Sequence, residues 1–325
     1  MRFFWALALV ACAGTEPTDT SPFDTDTGDS DTDVELTVQW NDRTIETSTT
    51  INAVYSGGTG AWVVGENGDT WVIAGNKATR KGTGGTDDVT GLWGTGDSEL
   101  VAVGFSGTVL SLQADEWVRS ADPALGTTNF EDLDGTRGSL TAVSATGIYR
   151  FNGDAWAFED NGFNRALRAI WVQPGGDAWA VGDDGTVLRR VADVWEQVSG
   201  VPSGVDLSDV HGNGDNVYMV GNRGTMLRWL DGAFVEIETD TTINLAGVWV
   251  ASTGMAYVVG SNGLALKYDP NLPVEDEDDS DAVPGGFVEL PTGSDANLYA
   301  VWGSGEDNVW AVGNRGAVFR YTGPR

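Results

Sequence analysis

The sequence predicts an all-β fold: a seven-bladed β-propeller of four-stranded antiparallel blades, closed by an N-terminal strand that completes the last blade. Three observations carry this reading. A "VG" phrase recurs with its glycine at Gly65, Gly104, Gly182, Gly221, Gly260 and Gly313, at spacings of 39, 78, 39, 39 and 53 residues. The 78 divides around Ser144 in "AVSATG", a copy without the glycine, and the 53 is 39 plus an insertion of 14, so there are seven copies. Each copy holds four short apolar segments separated by turn residues, and four strands per roughly 40 residues is the signature of propeller blades. Finally, the last copy stops at "AVFRYTGPR" without a fourth strand, while an unassigned strand-like segment, residues 35–43 "ELTVQWNDR", precedes the first copy. Docking that segment beside residues 317–321 covers an open sheet edge and ties the chain ends together.

Within a copy, the first strand has an aliphatic centre between a small residue and usually an aromatic: Ala53-Val54-Tyr55, Gly91-Leu92-Trp93, Ala169-Ile170-Trp171, Gly247-Val248-Trp249 and Ala300-Val301-Trp302. Asp134 and His211 hold the aromatic slot in copies three and five. One large residue per blade at a fixed position suits the wedge-shaped gaps between blades, so the slot reads as core. The second strand ("AWVVG", "AYVVG", "VWAVG") is apolar on both faces and therefore belongs to a sheet covered on both sides.

The turn from second to third strand contains Glu66-Asn67-Gly68, Phe105-Ser106-Gly107, Ala145-Thr146-Gly147 or Asn222-Arg223-Gly224. A two-residue type I′ turn would force positive φ on Ser106, Thr146 and Arg223, so the expectation is a three-residue loop with only its glycine left-handed. The third strand carries a basic slot (Arg189, Arg228, Lys267, Arg320, with Arg150 shifted by one), read as stem packing and pairing with acidic neighbours. The fourth strand carries an aromatic, as in "EWVRSA" and "VWEQVS".

The front of the chain is of another kind. Residues 1–11 begin with Arg2 and an apolar run, and Leu9-Val10-Ala11-Cys12 resembles the lipobox of bacterial lipoproteins, in which the cysteine is lipidated after cleavage before it. Cys12 is the only cysteine, which leaves no disulfide and puts a thiol where an acyl anchor belongs. Residues 12–33 read as the lipidated cysteine and an acidic disordered tether, and residues 34–325 as the propeller, with an acidic loop insertion at 274–286. The resemblance implies export, and Ala13 after the cysteine implies the outer membrane of a Gram-negative-type cell envelope.

The formal charge of −30 is uneven: the ring outside the acidic segments holds 34 acidic against 17 basic residues. That balance disfavours nucleic acid, which needs basic clusters. The acidic runs "DTDTGDSDTD" and "EDEDDSD" lack the spacing of an EF-hand, so no cofactor or metal site is expected beyond weak Ca²⁺ association. Catalytic constellations are missing: His211 is the sole histidine, and no G-x-S-x-G or P-loop string occurs. His211 itself reads as a tolerated polar substitution near a loop. Arg223 and Arg315 lie in turns on the face shared with the blade-to-blade loops, where propellers bind, and with His211 they are the candidate ligand-binding residues.

The layout "VGNRGTMLRWLDGAF" resembles the repeats of Ycf48-type photosystem assembly factors and of BNR or Asp-box propellers, over residues 45–323, although the S/T-x-D-x-G-x-T-W string is intact in no copy. The resemblance implies the fold and a leaning toward protein-binding scaffolds, with no active site. The expected function is a non-catalytic, monomeric binding or assembly propeller on a lipid anchor, taking a protein, peptide or glycan. The alternative is a sialidase-like glycan hydrolase or lyase, which would show three arginines with a Tyr/Glu pair at the ring centre.

Overall fold

The computed structural model describes residues 38–58, 60–159, 162–163, 165–272 and 285–324. Cys12, the leader and tether around it, and most of the acidic insertion lie outside the described residues. Seven four-stranded antiparallel sheets are formed, six of them from consecutive strands. The seventh is made of Leu298–Gly305, Asn308–Gly313 and Val318–Pro324, with Val38–Asp42 added at its outer edge. The register sets Trp40 opposite Tyr321, Asn41 opposite Arg320 and Asp42 opposite Phe319, so the N-terminal strand closes the ring as the sequence predicts. Trp40 packs on Tyr321 with ring centroids 5.7 Å apart and donates its indole N–H to the Leu290 carbonyl of blade six at 2.9 Å.

The apolar second strands are buried along their whole length, as in Ala61–Gly65, Ala178–Gly182 and Asn308–Gly313. Burial is organised as seven separate cores, each shared by two neighbouring blades. Trp171, Trp179 and Val181 of blade four, for example, pack with Val210, Val217 and Met219 of blade five. Each fully buried aliphatic or aromatic side chain there stabilises by about 1.5–3 kcal/mol, so a blade obtains its core only from its neighbours.

The turns between second and third strands differ from the expectation. Asn67, Ser106, Asp184, Arg223, Asn262 and Arg315 all have φ between 54° and 59°, and the glycines after them are left-handed too. The Asp69 N–H donates to the Glu66 carbonyl at 3.1 Å and the Thr225 N–H to that of Asn222 at 3.0 Å. These are type I′ turns. The left-handed residue costs about 1–2 kcal/mol where it is not Gly, Asn or Asp, and hydrogen bonds to the next blade offset this. The N–H of Ser106 donates to Asn129 Oδ1 at 3.1 Å and that of Arg223 to Asn244 Oδ1 at 3.0 Å. The Gly107 N–H reaches the Thr128 carbonyl at 2.7 Å and the Gly316 N–H that of Thr49 at 3.0 Å. Thr146, the β-branched case, stays out of the left-handed region, and the Ser144 hydroxyl accepts its N–H at 3.2 Å instead.

The basic slot of the third strand also does something unforeseen. Arg189, Arg228, Lys267 and Arg320 lie over the rings of Trp179, Tyr218, Tyr257 and Trp310, their direct cross-strand partners, at 5.1–5.6 Å from the ring centres. Cation–π contact on the second strand holds these side chains, and the expected pairing with acidic neighbours occurs at Lys267, 3.3 Å from Glu306, and at Arg150, 2.7 Å from Asp193.

Candidate functional site

Each innermost strand slips its pairing by one residue just after it starts, as between Ile51 and Ala53 or Leu207 and Asp209. Bulges re-aim side chains. Here the bulged residues, Asn52, Thr90, Glu131, Arg168, Ser208, Ala246 and Tyr299, one per blade, line a cavity of about 180 Å³ in the central channel. The first strand starts where the second ends, so this mouth opens on the end of the ring that carries the I′ turns. Asn52 donates to the Val89 carbonyl at 2.9 Å and Thr90 to that of Phe130 at 2.8 Å, each bridging to the next blade. The Arg168 guanidinium engages Asp183, and burial together with the Asp183 charge pushes the Glu131 carboxyl up against the pull of Arg168. Ser208 and Ala246 leave the opposite side of the mouth low, and Tyr299 stands beyond them at 40% exposure.

Deeper in the channel, the residue in the aromatic slot of each blade meets the residue that follows the slot in the next blade. Trp93 donates to the Gly135 carbonyl at 3.1 Å and Trp302 to that of Ser56 at 3.3 Å. A side chain on Gly212 would come 2.7 Å from Trp171, and one on Gly303 the same distance from Trp249. Where the slot residue is an acceptor, the facing residue is a valine that offers its N–H: Val172 to Asp134 at 2.6 Å, and Val250 to His211 Nδ1 at 3.1 Å. Two residues earlier, where other blades have Ala or Gly, Asp132 accepts from Ile170 at 3.0 Å and Asp209 from Val248 at 2.8 Å.

Burial raises the Asp132 and Asp134 carboxyls to about 7 and Asp209 well above the usual carboxylate range; the backbone N–H groups pull each of them back. Burial likewise pushes His211 down to about 3, so the ring is neutral and its Nδ1 is free to accept. The channel leaves these side chains partly accessible, which moderates the cost of charging them.

The structure sets His211 in the channel wall, two residues before the end of its strand at Asn213, as an acceptor between blades five and six, its ring centre 5.6 Å from that of Trp302 and 5.8 Å from that of Trp171. Arg223 and Arg315 stand on the turn-bearing end, in blades five and seven, and are not brought together. Arg223 donates to the Gly204 carbonyl at 3.1 Å and Arg315 to Asp295 at 2.8 Å. Cys12 lies outside the described residues. Sequence reasoning missed Glu131, Arg168 and Tyr299 at the mouth and Asp132 and Asp209 below it. The signal for the last two was aspartate in a slot held elsewhere by Ala or Gly. Among the described residues, the channel lining holds a single arginine, Arg168, and no group of three His, Cys, Asp or Glu side chains is arranged to hold a metal ion.

No protein-family model matches the chain, and no curated protein matches it. Solved propellers do. YCF48 bound to a D1 peptide aligns with a TM-score of 0.67 at 16% identity, over 89% of this chain and 98% of that one. The extracellular domain of the two-component system BT4673 from B. thetaiotaomicron aligns with a TM-score of 0.69 at 13% identity, over 87% of this chain and 40% of that one. The WD40 propeller domain of Doa1 aligns with a TM-score of 0.66 at 11% identity, over 87% and 96%. At such identities the likeness is one of fold.

Proposed function

We propose that this chain is a non-catalytic binding propeller, anchored in a bacterial cell envelope through lipidated Cys12, that grips a protein, peptide or glycan on its turn-bearing face. The observation that carries the reading is the channel mouth, where seven bulged residues from seven blades converge without repeating one another: a charged side at Glu131 and Arg168, a low side at Ser208 and Ala246, and exposed Tyr299. Binding sites of this kind combine apolar surface with a few convergent polar groups. The chain enters the ring at Val38, which pairs with Pro324 at the end remote from the turns. YCF48 was solved with a D1 peptide, so a head of this fold can hold a peptide.

The sialidase-like alternative asks for three arginines at the ring centre; the lining offers Tyr299 and Glu131 with Arg168 as its single arginine, which favours binding over turnover. The test is capture by the immobilised head, residues 34–325, from envelope extract, with partners identified by mass spectrometry. Tyr299→Ala, Arg168→Glu, Arg223→Glu and Arg315→Glu probe the face. At least one is expected to weaken the captured partner about tenfold, a change of about 1.4 kcal/mol. Capture unaltered by all four, or release of sugar from a glycan panel, would count against the proposal.

A further inference from the structure

The channel has a second, larger cavity that the binding reading does not use. It measures about 470 Å³ and lies at the end remote from the I′ turns, where the first strands of blades three, four and five finish. Trp93, Trp171 and Trp302 line it, together with Asp134, His211 and Asn213. Trp93, Asp134, His211 and Trp302 also line the cavity at the mouth, so the two spaces meet at one girdle. We propose that this girdle and the cavity beyond it bind an organic ammonium group, carried by a small amine or by a lysine side chain.

Aromatic faces attract cations. Five rings elsewhere in the chain, Trp179 and Trp310 among them, have an Arg or Lys over their faces. Among the described residues none lies over Trp93, Trp171, Trp249 or Trp302, the tryptophans of the channel. The electropositive N–H edges of Trp93 and Trp302 are taken by the Gly135 and Ser56 carbonyls. The mouth cavity has Arg168 in its lining, whereas this one has neither Lys nor Arg, and its one carboxylate is Asp134. His211 is neutral and accepts from Val250 through Nδ1. Aromatic rings around a single carboxylate suit a compact cation, and the cavity is within the usual size of small-molecule sites.

The approach has the same sign. The turns that join first to second strands carry Asp97, Asp177, Asp215, Glu306 and Asp307, against one cation, Arg137, which is tied to Glu99. Glu306 pairs with Lys267, but among the described residues the four aspartates are in no ion pair. Asp97, Asp215 and Asp307 are exposed. A cleft rimmed by one sign of charge raises the local concentration of the opposite sign. Burial pushes the Asp134 carboxyl up, and a cation bound beside it favours the charged form.

Calorimetric titration of the full chain tests the site, and its outcome is independent of capture at the mouth. Choline should bind, and its neutral analogue, with a tert-butyl group in place of trimethylammonium, should bind about tenfold more weakly. Cadaverine carries the primary ammonium of a lysine side chain. Tighter binding than choline assigns the site to lysine, and weaker binding assigns it to a small quaternary amine. Trp302→Leu and Asp134→Asn, the second of which keeps an acceptor for the Val172 N–H, should each weaken the preferred ammonium about tenfold. No binding of either ammonium at millimolar concentration, equal binding of choline and its neutral analogue, or undiminished binding in both variants would overturn the proposal. The comparison of choline with its analogue uses the wild-type chain, so it decides even where a variant does not fold.

Discussion

A single left-handed residue decides how each turn docks on the neighbouring blade. Arg223 has φ 56° and its N–H is fixed by Asn244 Oδ1. Asparagine accepts that conformation at lower cost than arginine and, unlike glycine, adds little entropy to the unfolded chain. Arg223→Asn is therefore expected to stabilise by about 0.5–1 kcal/mol, read as a rise of about 1–3 °C in melting temperature. Gly224→Ala is the opposite case, because a Cβ there has φ +75° and runs into the Thr241 carbonyl of the next blade. A loss of about 3 kcal/mol or more is expected in urea unfolding. The local rule that argued against type I′ turns is correct about intrinsic preference, and Thr146 obeys it. It fails for Ser106, Asp184 and Arg223 because their N–H groups are taken by a side-chain oxygen 21 to 23 residues further along, and for the Arg315 turn because the Gly316 N–H is taken by Thr49 near the other end of the chain; such pairing is invisible in a four-residue window.

Among elements, the innermost strands carry a pairing rule that the sequence does display. An aromatic in the slot is followed, one blade later, by Gly or Ser after the slot: Tyr55 by Gly94, Trp93 by Gly135, Trp171 by Gly212, Trp249 by Gly303 and Trp302 by Ser56. Asp134 and His211 are followed by Val172 and Val250. The physical reason is room: an indole needs the space of a missing side chain, while a carboxylate or imidazole needs only a backbone N–H. Asp134→Trp is expected to clash with Val172, and Val172→Gly alone to leave a gap. The double variant D134W/V172G should recover part of the loss, with a coupling of about 1–3 kcal/mol in a double-mutant cycle on unfolding free energies. Additive losses would show that the rule is coincidental. The aromatic slot was legible as core. Its role in lining the channel was not, because alternation along one strand specifies two faces without saying that the edge beside them borders a hole.

At the level of the whole molecule, the blade count and the closing strand were legible because repetition makes each copy a template for the others, so a missing fourth strand stands out. The mouth was not, since its residues, Glu131, Arg168 and Tyr299, are the ones in which copies differ. A ring of seven shared cores has no blade that is complete alone, and the outer edge of Val318–Pro324 is satisfied only by Val38–Asp42. Trp40 is half-buried between Tyr321 and the Leu290 carbonyl, so Trp40→Ala is expected to destabilise by about 2–3 kcal/mol, less than a fully buried tryptophan. Deleting residues 34–43 goes further, removing the indole and also the strand hydrogen bonds, and it bares an edge able to pair with a second molecule. The truncated chain should melt several degrees lower, yield to protease at the 317–324 segment first, and associate in a concentration-dependent way in sedimentation experiments. An unchanged melting temperature and cleavage pattern would mean that the seam between blades seven and one is held by the Trp310, Val312 and Val318 core alone.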